Sequence, residues 1–576
     1  FLDAVAIDTK RGQAILQGMK GGVLQWLSRF ADGEHSLLGA LEFFEEFGEG
    51  ISDELLVHKA RTLRDYGNLL YRTERISEAI EIIQKSISIY RKLNDKTIGF
   101  RIEDMARAVA WFAWFLIVVN RLEDGEKAYR EARELFEKST PSASYNPISG
   151  ITTVLRGIGT ALFFAGKVSE AEGIFREGLE IYRELANDGA AVDIRHLAVG
   201  LYNFGEVLRL TNRPYEAEEV LRESISLVRN LVKIDSETYL SFLVFAINLL
   251  ALPLRQTGRF SEAEEGYLEA LAISRELAEE APDAFSFSVS WTLLDLAVLL
   301  RLTGRMSEAE ENCREALRIH RRLAARSPGK HDSILSWNLN NLAVLLRQTG
   351  RESEAEEAYR EALDIALEIA SEAPEAVFLT DMLATILSNI AVLLRQTDRT
   401  SEAEETLLEA LEIRRQLAQK SSELFLHRVA TTLNNLGVLL AETDRLSEAE
   451  DALLEALELR RELSKESPDL YQQGVESTLN NLAMLFKRTG QSSEADDLYC
   501  EAIEIGEELF LKAPSVYRQG LVRALCNYTL LVSDVDDTGA LQKTVTRLKK
   551  LGVESLPESE EWSEEEEEET NAPGAV

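Results

Sequence analysis

Acidic residues outnumber basic ones by 99 to 63 across 576 residues, and ten of the acids follow residue 550 with no base among them, so the formal charge is −36. That sign repels phosphate backbones and anionic lipid, so neither a nucleic acid nor a membrane surface is expected as the main partner. Cys313, Cys500 and Cys526 are the only cysteines, too few for a disulfide framework, which fits a reducing, cytoplasmic setting.

The chain opens on Phe1 rather than Met and reads as a piece of something longer. Residues 1–55 read as a degenerate helical unit. The longest uninterrupted apolar run, Ala108 to Val119, has 12 residues, short of the ~20 that a spanning helix needs.

From residue 56 to 512 one phrase organises the sequence. Ser353-Glu354-Ala355-Glu356 recurs from Ser169, Ser261, Ser307, Ser401 and Ser447, and in weaker form from Ser77 and Ser493. Glu123 and Tyr215 fill the two gaps at the expected spot. Neighbouring starts lie 46 residues apart, except that 353 to 401 is 48, giving ten units in register. Each unit reads as two helices. Ser353 with Glu356 looks like a capping box at a helix start, and Gly350 in the preceding turn is free to take a left-handed C-cap. Pro282, Pro328, Pro374, Pro468 and Pro514 recur with the period and mark where first helices begin. Pro253 falls inside a first helix, where a lost backbone hydrogen bond predicts a kink.

In the first helix Leu339, Leu342, Ala343 and Leu346 form one apolar stripe. In the second, the slot of Ala355 is Ala in nine units and Gly125 in the other, and the slot of Ala362 is Ala, Ser or Gly in all ten. Small residues at fixed slots predict close helix approach. This pattern resembles the tetratricopeptide repeat. The family phrase of L-G, Y, A and F falls on Leu342-Ala343, Leu346, Ala355 and Tyr359, and Leu436-Gly437 is literal. The longer unit is similar to that of kinesin light chains, whose Asn-Asn-Leu-Ala phrase stands at Asn340 to Ala343 and Asn480 to Ala483. The resemblance implies an all-α, right-handed superhelical solenoid. Residues 513–552 would then be capping helices, and residues 553–576, with Glu564 to Glu569 unbroken, a disordered acidic tail.

No catalytic constellation appears, so no enzyme and no cofactor are expected. The six histidines, His35, His58, His196, His320, His331 and His427, include no i, i+4 pair, so no metal site is expected either. Gly166-Lys167 lacks the upstream glycine of a phosphate loop, and Cys313 occupies the packing slot of Tyr359, as a buried inert thiol would.

Repeats of this kind stack into a superhelix whose inner surface binds extended peptides or helices, and the resemblance implies that first helices line it. With about 100° per residue, Trp337, Asn341, Val344 and Gln348 fall opposite the apolar stripe. Three features follow. An asparagine column runs through Asn203, Asn341, Asn389, Asn435, Asn481 and Asn527; it either grips a partner's backbone or hydrogen-bonds helix to helix. A basic column runs through Arg209, Arg255, Arg301, Arg347, Arg395 and Lys487; it either favours an acidic or phosphorylated ligand or pairs with glutamates of neighbouring helices. Near the N-terminus, Trp111 and Trp114 face away from the core stripe, and Phe163 and Phe164 replace the polar residues of the next unit. These aromatics anchor a partner or are covered by residues 1–50. In the tail, Glu560, Glu561 and Trp562 could fold back on Lys487 and Arg395.

The expectation is a scaffold capturing a peptide or helix of a protein partner. The alternative is the ligand-sensing arm of a larger signalling ATPase of the STAND type, its nucleotide-binding part lying outside this chain. Self-association through the aromatic patch is a third reading.

Overall fold

The computed structural model describes residues 13, 15–21, 30–46, 52–73, 75–93, 102–119, 121–138, 147–164, 167–186, 191–211, 213–326, 331–372, 377–466, 468–535 and 537–553. Pro328, Pro374 and the whole segment 554–576, with its predicted tail contact, lie outside them. Among the described residues the chain is helical with no strand.

The chain divides into two compact units, Phe1–Gly200 and Leu201–Val576. Helices are numbered from Phe30. The first unit holds α1 (Phe30–Glu46) and the pairs α2 (Asp53–Arg72) with α3 (Ile76–Leu93), α4 (Ile102–Val118) with α5 (Leu122–Glu137), and α6 (Pro147–Phe164) with α7 (Val168–Ala186). The boundary falls within α8 (Ala191–Leu210). The second unit continues with α9 (Pro214–Ile234), α10 (Ser236–Gln256) with α11 (Phe260–Glu280), and α12 (Pro282–Leu302) with α13 (Met306–Arg326). Next come α14 (Asp332–Gln348) with α15 (Glu352–Glu372), and α16 (Val377–Gln396) with α17 (Thr400–Lys420). The last pairs are α18 (Ser422–Glu442) with α19 (Leu446–Glu466), and α20 (Pro468–Arg488) with α21 (Ser492–Lys512), before α22 (Pro514–Asp534) and α23 (Thr538–Lys550). Apart from the boundary helix α8, each helix from α1 to α7 and from α9 to α23 packs on its neighbour in sequence within its unit.

The turn between paired helices is built as the sequence predicts at its glycine. Gly350 has φ +73°, and the next two N–H groups close the helix end, Gly350 N donating to Arg347 O at 3.0 Å and Arg351 N to Leu346 O at 2.9 Å. Asp398 and Asp444 hold the same slot at φ 60° and 62° without being glycine.

The second-helix start differs from the expected capping box. Ser353 is already inside α15, and the residue before the second helix is an arginine, as at Arg259 and Arg399, whose side chain makes no cap bond to the backbone. Arg351 instead straddles two glutamates, Glu354 three residues on at 2.5 Å and Glu310 of the preceding second helix at 2.7 Å. Glu356 pairs with Arg399 of the following unit at 2.9 Å. Arg351 thus ties the start of the second helix both to its own first turn and to the second helix before it.

Small residues sit where backbones meet. Ala355, Ala403, Ala449 and Ala495 are fully buried. A Cβ added to Gly125 would come within 2.7 Å of Ile117 Cγ1 and 3.1 Å of the carbonyl of Ala113. The helix α10 runs unbroken through Pro253, three residues from its end.

Among the described residues three helical stretches, Thr238–Gln256, Phe285–Leu302 and Val377–Gln396, have the length and apolar composition to cross a membrane. A search for uninterrupted apolar runs misses them because isolated polar residues break each run. All three are first helices, and 78% of the Val377–Gln396 stretch is buried against neighbouring helices.

Candidate partner-binding surfaces

The first helices of the second unit are enclosed on more sides than the apolar stripe alone predicts. Trp337 and Val344, placed opposite the stripe by angle, are buried in one core cluster with Leu294 of α12 and Leu383 of α16. The cause is lateral: successive first helices pack side by side, so each hides the flank of the next. Gln348, at the end of α14, is exposed.

The asparagine column faces the same seam. Asn389 Nδ2 donates to Asn340 Oδ1 at 3.1 Å, Asn481 to Asn434 at 3.0 Å and Asn527 to Asn480 at 3.1 Å. Each bond runs from the Asn341 slot of one unit to the Asn340 slot of the unit before; Asn480-Asn481 fills both slots, whereas Ser388-Asn389 and Cys526-Asn527 fill only the donor slot. Asn389, Asn435 and Asn481 are buried, whereas Asn203 and Asn341 are half-buried. Of the two uses open to the column, helix-to-helix bonding is the one the geometry displays.

The basic column behaves alike. Arg347 Nη1 donates to Gln396 Oε1 at 3.1 Å, Arg395 lies 2.6 Å from Glu442 and Lys487 lies 2.8 Å from Asp534, each partner being on the next first helix. Arg209 is buried and pairs within α8 with Glu206 at 2.9 Å. Arg255 is buried and Arg301 half-buried. Charge that the sequence offers to an acidic ligand is thus largely engaged within the stack.

In the first unit the slot that carries these cations is apolar: Tyr71, Ile117 and Phe163. Phe163 is buried, so it belongs to the packing and not to a free wall. The side chain of Phe164 lies outside the described residues. Tyr71 of α2 stacks on Phe115 of α4 with ring centroids 5.2 Å apart, and Trp111 lies 5.8 Å from Phe115 and 6.5 Å from Tyr71. Phe115 is buried, Trp111 and Trp114 are half-buried, and Val118 and Val119 beyond them are exposed. Among the described residues α1 packs on α2, and it is Tyr71 of α2 that partly closes the aromatic face. The sequence signal for Tyr71 was its position in the arginine slot.

Titratable groups elsewhere are set by packing. Burial pushes the Cys313 thiol up to about 12, as an inert core cysteine requires. Arg414 is wholly buried, donating to Thr432 Oγ1 at 2.8 Å and Thr385 Oγ1 at 3.0 Å, and shares Asp381 with Arg428, which stands 3.0 Å from it. Among the described residues no group of three or more His, Cys, Asp or Glu side chains could hold a metal ion.

The sequence model of the tetratricopeptide repeat matches residues 288–368, 382–462 and 428–508, the stretch in which paired helices, left-handed turn and alanine slots recur most regularly. Those stretches are tetratricopeptide repeats. No curated protein matches the chain. Among solved structures, BtubC (BKLC) from P. vanneervenii is 23% identical, covering 45% of this chain and 96% of that one with a TM-score of 0.36. Yeast Tom70 is 14% identical, covering 93% of this chain and 99% of that one with a TM-score of 0.39. Within the tetratricopeptide repeats the bonded asparagines and paired cations fasten one first helix to the next.

Proposed function

We propose that this chain is a non-catalytic scaffold for protein partners. The observation that carries the reading is the array of tetratricopeptide repeats, because stacked helix pairs repeat the same side chains at regular intervals over a long surface. The anchor in this reading is the aromatic face of α4. Trp111 and Trp114 keep part of their rings open beside the exposed Val118 and Val119, and large aromatics at the centre of a patch are what binding hot spots are made of. A peptide or helix of the partner would lie along the first helices there, and, in the second unit taken by itself, the half-buried Asn203 and Asn341 offer polar contacts of their own. The scarcity of cysteine supports action in a reducing cytoplasm.

The double variant Trp111→Ala with Trp114→Ala tests the anchor. Quantitative capture from lysate should lose a defined set of proteins relative to wild type, while the helical circular dichroism signal is unchanged. An unchanged set of captured proteins, with the variant folded, would overturn this reading.

A further inference from the structure

The seventh residue after the serine of each repeated phrase lies on the outer side of the second helix. Five units carry arginine there, Arg130, Arg176, Arg222, Arg314 and Arg360, and each pairs with the glutamate four residues earlier at 2.7 to 3.2 Å. In the last three units the slot changes character. It holds Leu408, 47% exposed, then Leu454, 43% exposed, then Cys500, also exposed. These three stand on α17, α19 and α21, successive second helices that are tied by Arg415–Glu455 at 2.7 Å and Arg461–Glu501 at 2.6 Å. Glu455 and Glu501 directly follow Leu454 and Cys500 in sequence, so the apolar strip runs across the helices beside that ladder.

On each side of the strip is an acidic row. One turn before it come Glu405, Asp451 and Asp497, and one turn after it Glu412, Glu458 and Glu504. All six are exposed, and none takes part in an ion pair among the described residues. In the earlier units the arginine of this slot pairs with the glutamate just before the first of these rows, as Arg360 does with Glu356, so leucine in its place takes a cation off this face. An exposed leucine flanked above and below by carboxylates fits a ligand with a greasy ridge and cations on both edges. A second copy of this chain, at −36, supplies the wrong charge, as does anionic lipid.

We propose that the outer face of α17, α19 and α21 docks a basic amphipathic helix of a protein partner. Its apolar side covers Leu408, Leu454 and Cys500, and its Lys and Arg residues meet the two acidic rows. This surface is on other helices than the aromatic face of α4, and stands or falls independently of it.

The probe is a fluorescein-labelled synthetic peptide of about 18 residues, five turns of helix, made of Leu and Lys with the leucines on one face. Anisotropy should show saturable binding to the full chain, weakened at high salt. The variant Leu408→Arg with Leu454→Arg should weaken it by roughly tenfold or more; five sibling units already fold with arginine in that slot. Leu268→Arg, in the same slot of α11, and Trp111→Ala with Trp114→Ala should leave affinity unchanged. In wild type the peptide should also slow maleimide labelling of Cys500, located by mass spectrometry, an arm that needs no variant. The proposal is overturned by an unprotected Cys500, by equal affinity of a shuffled peptide without an apolar face, or by equal loss in Leu268→Arg. Concentration-dependent dimers that Leu408→Arg with Leu454→Arg abolishes would overturn it too, by making the occupant a second copy.

Discussion

Arg488 donates a hydrogen bond from Nη1 to the carbonyl oxygen of Ala441, 2.7 Å away, reaching back one repeat to the slot where the cation is missing. At the neighbouring junctions the bond runs the other way, from Arg395 forward to Glu442 and from Lys487 forward to Asp534. A cation therefore spans this seam from whichever side supplies one. Arg488→Ala should cost about 1 kcal/mol, the scale of one partly exposed charged hydrogen bond. Ala441→Arg combined with Arg488→Glu rebuilds the forward arrangement and should recover most of that loss. Urea unfolding of the three proteins checks it; a double variant no better than Arg488→Ala would show that the direction of the bond is fixed by something else.

The turn slot allows a gain in stability. Asp398 takes φ 60° where sibling turns use glycine, such as Gly350 at +73°. An L-residue in that region is disfavoured by roughly 1 kcal/mol or more, partly offset by the extra freedom that glycine gives the unfolded chain. Asp398→Gly should therefore stabilise by about 0.5 kcal/mol, and Gly350→Ala, with open space around the added Cβ, should destabilise by about 1 kcal/mol through φ alone. Thermal melting points moving in opposite directions for the two variants would bear this out.

The repeat, the helix pairs and the close alanine contacts were legible because each depends on residues near one another in sequence. Leu342 and Ala343 announce a buried stripe by spacing, and Gly350 announces a left-handed turn by having no side chain. What spacing cannot show is the neighbour one unit away. Trp337 and Val344 look outward on a lone helix and are buried because the next first helix covers them. Ser353 looks like a cap until Arg351 is seen to reach Glu310, forty-one positions back in sequence. The aromatic face was visible in Trp111 and Trp114, but its closure by Tyr71 was not, since that ring arrives from α2.

The asparagines that bond across units should behave as coupled pairs. Asn434 and Asn481 are both buried, with Asn481 Nδ2 3.0 Å from Asn434 Oδ1. Removing either partner leaves a buried amide short of one bond, a loss of about 1–3 kcal/mol. A double-mutant cycle of Asn434→Ala and Asn481→Ala should show a double variant less destabilised than the sum of the singles. Strict additivity would mean that the two amides do not act on each other.

Stability should also fall with acid at one identifiable histidine. His320 on α13 is fully buried, its Nδ1 3.3 Å from Asn338 Nδ2 and its ring 6.3 Å from that of Phe287. Burial, helped by nearby His331, holds its pKa down at about 3 against an ordinary 6.5. The unfolded chain takes up a proton below pH 6.5, while the folded chain keeps the ring neutral until about pH 3. The stabilisation is complete above the upper value and drains away as the pH falls toward the lower one, by up to about 1.4 kcal/mol per pH unit. His320→Gln keeps an amide near Asn338 but cannot take up that proton. Its unfolding free energy should decline less than that of wild type between pH 7 and pH 5, by roughly 2 kcal/mol. Urea midpoints that shift in parallel for both proteins would place the acid sensitivity in another group.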